Sequence, residues 1–131
     1  MQTISGKFEV KMSPQPGVLD TEGIGTFRLD KTYSGVLQAE GIGLMTAHRT
    51  AVASSAGYVA LERVRGALEG RSGSFVLQHS GLMHANERRL DLQVIPDSGD
   101  GELTGLSGRM NIRIEDGKHY CDFDYALRAQ P

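Results

Sequence analysis

The chain has 131 residues, a net charge of −2, 39% apolar residues and a single cysteine. That is the length of one domain with an ordinary core. The weak charge gives no electrostatic case for a nucleic-acid partner, and one cysteine rules out an internal disulfide.

Met1 to Lys7 lacks a basic head followed by an apolar stretch, so no secretory signal is expected there. No apolar run approaches the length of a membrane-spanning helix. A protein in the reducing cytoplasm is expected, with no membrane partner.

The first predicted strand is Lys7 to Met12, where Phe8, Val10 and Met12 alternate with Lys7, Glu9 and Lys11. Ser13-Pro14-Gln15-Pro16-Gly17 breaks it, because proline cannot donate to a ladder. This stretch reads as a connector or as the lip of a mouth. Gly23 to Asp30 is the second strand, with Phe27 and Leu29 on one face and a bend at Gly23 and Gly25. Lys31 to Gly35 reads as a turn.

Val36 to His48 is a long strand. Its face of Leu37, Ala39, Gly41, Gly43, Met45 and Ala47 carries the small residues that suit the inside of a tightly curved sheet. The two faces are not cleanly separated, so Glu40 is not assigned to either. Arg49 to Ala56 is a small, polar connection.

A central hairpin follows. Tyr58, Ala60, Glu62, Val64, Gly66 and Leu68 share one face of its first strand. Glu69 to Gly73 is the turn. Phe75, Leu77, His79, Gly81 and Met83 share the bulkier face of the second strand. Both strands thus set an ionisable group among apolar neighbours. A buried carboxylate is costly unless it is paired, and its pKa then moves up by desolvation or down beside a cation. Glu62 and His79 therefore carry two readings each: structural groups, a carboxylate held by an Arg, a His or a backbone amide and a satisfied core histidine, or orienting and acid/base groups in a cavity.

His84 to Glu87 is a turn, and Leu90, Leu92 and Val94 mark the next strand. Pro96 to Gly101 is a loop. Leu106, Gly108, Met110, Ile112 and Ile114 form one strand face, and Asp116-Gly117 is a two-residue hairpin signal. The last strand sets His119, Cys121, Phe123, Tyr125 and Leu127 against Lys118, Tyr120, Asp122 and Asp124. The first set is the inner face and the second the solvated one. Cys121 reads as a buried thiol. About eight antiparallel strands with short turns and no long helix give an all-β fold, a sandwich or an up-and-down barrel. An eight-stranded barrel either fills its interior or holds one small ligand.

His48, His79, His84 and His119 are scattered without a metal-ligand spacing, so no metal is expected. Gly23-Ile24-Gly25 and Gly41-Ile42-Gly43 complete no nucleotide-binding fingerprint. Gly73-Ser74 lacks the surroundings of a nucleophile elbow. No cofactor is expected.

The segments Gly57 to Val64, Gly70 to His79, Pro96 to Gly99, Gly101 to Leu106 and Asp116 to His119 with Phe123-Asp124-Tyr125 resemble a family of short bacterial proteins of unknown function. The resemblance spans the chain. It implies a small antiparallel barrel like that of allene oxide cyclase, an apolar ligand in the lumen, and a homodimer or homotrimer. It carries no catalytic residues.

The leading expectation is a small-molecule binding barrel, its lumen lined by Tyr58, Glu62, His79, Cys121 and Tyr125. The rival readings are a cofactor-free isomerase or cyclase using Glu62 or His79, and a plain oligomeric barrel. The last asks for a filled interior and an apolar outer patch.

Overall fold

The computed structural model describes residues 2–16 and 22–128. Among these the chain forms nine strands and no helix: β1 (Gln2–Pro14), β2 (Ile24–Gly35), β3 (Leu37–Arg49), β4 (Ala56–Leu68), β5 (Arg71–His84), β6 (Glu87–Val94), β7 (Asp100–Gly101), β8 (Leu106–Glu115) and β9 (Lys118–Leu127). Every pairing is antiparallel, and the ring runs β1-β2-β3-β4-β5-β6-β8-β9 and back to β1. This is a closed up-and-down barrel of eight strands, its β6–β8 seam paired only at Leu92 with Met110 and Gln93 with Arg109. The short β7 lies outside the ring, paired with Gly73 and Ser74 of β5.

Tight turns explain the meander. Glu69-Gly70, Ala85-Asn86 and Asp116-Gly117 each have positive φ at both residues. That backbone matches the right-handed twist of the flanking strands. The turn expected over Glu69 to Gly73 is therefore only two residues long, and β5 starts at Arg71.

Two boundaries differ from the sequence expectation. β1 begins at Gln2 and reaches Pro14, where proline ends it; Gly17 lies outside the described residues. The expected turn at Lys31 to Gly35 is strand. Phe27, Leu29, Lys31 and Tyr33 all face inward, and Lys31 pairs with Val10 and Gly41. Burial of Lys31 and Tyr33 on the inner face outweighs a composition that resembles a turn.

The lumen has two halves. In one, Leu37, Leu68, Phe75, Leu77, Leu106, Met110 and Phe123 are almost wholly buried. Phe75 stacks on Phe123 with ring centroids 5.7 Å apart, and Phe123 on Tyr125 at 5.4 Å. Leu103, from the turn after β7, is buried in the same cluster, so the β7 excursion plugs that end. The other half stays open, as described below.

The outer wall carries ion pairs such as Arg113 with Asp122 and Glu115. Asp122 and Asp124 accept hydrogen bonds from Ser5 and Thr3 on that wall. Ile42, Leu44, Val59 and Leu61 also stand exposed on the outside of β3 and β4. The apolar outer patch is thus present, while the interior is only half filled. No helix among the described residues is long and apolar enough to cross a membrane.

Candidate functional site

The register brings four polar side chains together in the middle of the lumen. Glu62 on β4 faces Gly43 on one neighbour and Leu77 on the other. Lys31 reaches it from β2, two strands away, and His79 from the adjacent β5. Tyr33, next inward residue on β2, approaches from the packed half.

Every carboxylate oxygen of Glu62 is used. Oε1 accepts from Lys31 Nζ at 3.1 Å and from His79 Nε2 at 2.8 Å. Oε2 accepts from the Tyr33 hydroxyl at 2.6 Å. Glu62 is fully buried and His79 is 2% exposed. Burial by itself pushes the Glu62 carboxyl up. The His79 hydrogen bond, the Lys31 and His79 charges and the Tyr33 hydrogen bond outweigh it and hold the group at about 2. Glu62 is therefore ionised at any ordinary pH. A carboxylate only accepts, so His79 Nε2 must carry the shared proton.

Lys31 balances that negative charge and lies over the Phe8 ring, 4.9 Å from its centroid. Among the described residues His79 Nδ1 makes no hydrogen bond. Burial, then the Glu62 charge, raises the Tyr33 hydroxyl, which stays a donor.

Glycines make the space. A Cβ on Gly41 would fall onto the Glu62 carboxylate. A Cβ on Gly81 would fall into the Tyr58 ring. Tyr58 stands edge-on to His79 with centroids 6.3 Å apart.

This cluster is the floor of a cavity of about 470 Å³ that occupies the open half of the barrel. Lys31, His79 and Tyr58 line its depth. Phe8, Val10, Phe27, Leu29, Met45, Leu90 and Ile112 form apolar walls. Arg49, Met83, Arg88, Ile114 and His119 surround the mouth.

Of the five residues expected in the lumen, Tyr58, Glu62 and His79 come together at this site. Cys121 and Tyr125 face inward but belong to the packed half and do not line the cavity. Burial raises the Cys121 thiol, partly offset by a hydrogen bond to the Gly6 backbone. The Tyr125 hydroxyl hydrogen-bonds Glu69 and Gln2 at the plugged end. Lys31 and Tyr33 were not anticipated. Their signal was present, since the alternation of Phe27 and Leu29 runs on through both residues. Among the described residues no three His, Cys, Asp or Glu side chains converge as a metal site would require.

Fold and site together define a class: a small closed antiparallel barrel, plugged at one end, with a buried ion pair at the floor of an open lumen. The chain belongs to DUF3224, a family described as of unknown function, whose profile matches residues 4–125. A crystal structure of a DUF3224 protein of unknown function from Shewanella oneidensis MR-1 is similar over 99% of both chains, at 47% identity and a TM-score of 0.93. No curated protein matches the chain.

Proposed function

We propose that this protein binds a small, largely apolar molecule in the open half of its barrel. The observation that carries this is the cavity of about 470 Å³ with apolar walls and a polar floor. Its size and composition suit a small ligand held by a few oriented polar contacts. An eight-stranded barrel fills its interior with side chains or holds one small ligand, and here only one half is filled. His79 Nδ1 offers the ligand a polar contact, and Lys31 has donors beyond the one that serves Glu62. We further propose that the barrel is of the allene oxide cyclase type, as the family resemblance implies; such a likeness concerns fold and does not fix function. A cytoplasmic location and a homo-oligomeric state belong to the same reading.

The test is native mass spectrometry of freshly purified protein against its denatured mass. A non-covalent adduct lost on denaturation is expected. Ile112→Trp, which fills the lumen from the wall, should remove it. An adduct that survives this substitution would sit elsewhere and sink the proposal.

One observation favours a second reading, a cofactor-free isomerase. His79 gives Nε2 to Glu62, lines the cavity, and has no hydrogen bond at Nδ1 among the described residues. There His79 would take a proton from one carbon of the bound molecule and return it to another. The His79→Gln variant should then keep its adduct and lose solvent-deuterium incorporation into it.

A further inference from the structure

We infer that the ligand of this lumen is an amphipathic organic anion, an apolar body carrying one carboxylate or comparable acidic head at the mouth. This rests on the lumen-binding reading and names the class of molecule that the cavity selects.

The chain as a whole is slightly acidic, with 16 Asp and Glu against 14 Lys and Arg. The cavity has the opposite balance. Its ionisable lining is Lys31, His48, Arg49, His79, Arg88 and His119, besides the Tyr58 hydroxyl; among the described residues no Asp or Glu lines it. Glu62 lies behind that lining, where it neutralises Lys31. The charge left over is at the mouth, on Arg49 and Arg88.

The two arginines share one row of the barrel. Arg49 pairs with Ala56, Ala56 with Met83, and Met83 with Arg88. All four are inward positions at the ends of their strands, and both arginines line the cavity with Ala56 and Met83 between them. Neither arginine makes an ion pair among the described residues. Neighbouring Glu87 and Glu115 point to the outer wall, where Glu115 is taken by Arg113. Two unpaired guanidiniums over an apolar well match a planar anionic head above an apolar tail. Low-dielectric walls focus their field on the entrance.

The experiment is calorimetric titration of the full chain with decanoate, decan-1-ol and decylammonium, which share a tail and differ in head charge. Decanoate should bind at least about tenfold more tightly than decan-1-ol, the size of a hydrogen bond to a charged group. Decylammonium should bind most weakly. Added salt should narrow the decanoate advantage, and so should the double variant Arg49→Gln/Arg88→Gln. Equal binding of decanoate and decan-1-ol overturns the anion inference and leaves apolar binding standing. So does a decanoate advantage that the double variant retains. Binding of none of the three overturns both.

Discussion

Gly41 and Glu62 are complementary: the carboxylate of Glu62 occupies the space that any side chain at Gly41 would fill. Gly41 sits on β3 opposite Val64, one inward step from the Gly43–Glu62 pair, so barrel shear swings the Glu62 side chain over it. The carboxylate cannot retreat, because Lys31, Tyr33 and His79 hold both oxygens.

The Gly41→Ala variant should lose about 1–3 kcal/mol of stability by overpacking. In a Glu62→Ala background the added methyl group has room, so the two costs should not add. A double-mutant cycle from urea unfolding should give a coupling of about 0.5–3 kcal/mol. Strict additivity would show that the two residues do not share this space.

Glu62 also predicts an acid limb. Its carboxyl stands at about 2 in the fold against the usual 4.5. Between these values the unfolded chain binds more protons than the folded one, so stability rises with pH across that window. The contribution is fully present above about pH 4.5 and is lost as pH falls towards 2. It amounts to something on the order of 3 kcal/mol. The Glu62→Gln variant should flatten this part of the stability profile. At neutral pH it should cost about 3–5 kcal/mol, since Lys31 is left charged and buried without a counter-charge. A wild-type profile that is flat between pH 5 and 2 would contradict the pairing.

Ala47 lies on the cavity wall beside Tyr58. Its replacement by Phe adds a ring to open space. Melting should then change little, by less than about 1.5 kcal/mol, while decanoate binding measured by calorimetry should disappear. A variant that melts like the parent and still binds fully would place the ligand outside the lumen.

Cys121 gives a probe of global opening. It is 0% exposed, and burial raises its thiol. The native protein should leave Ellman's reagent unreacted for as long as it stays folded, and denaturant should release one thiol per chain. Fast labelling of the native state would mean that the β1–β9 seam opens locally.

Much of this was legible along the chain. Alternation identified the inner faces of β4, β5 and β9, because a half-buried strand shows period two whatever its partners are. Glu62 and His79 stood out for the same reason. Residue types that favour positive φ marked the Asp116-Gly117 turn. At Lys31 this signal was overridden, since a polar run ending in Ser34-Gly35 has the composition of a turn. Only the pairing of β2 with β1 and β3 carries the strand through it.

The sequence by itself indicated about eight antiparallel strands joined by short turns, and inward faces for several of them, with sandwich and barrel both open. These follow from local alternation and short turns, which involve only neighbours in the chain. The closed ring and its register were decided in three dimensions, since they depend on β1 meeting β9 and on the stagger accumulated around eight strands. That stagger brings Lys31 to Glu62 across 31 positions and sends Cys121 and Tyr125 into the packed half. It also sets Arg49 and Arg88 in one row at the open end. Alternation says that a side chain faces the lumen; only closure and shear say at what depth, and against which partner.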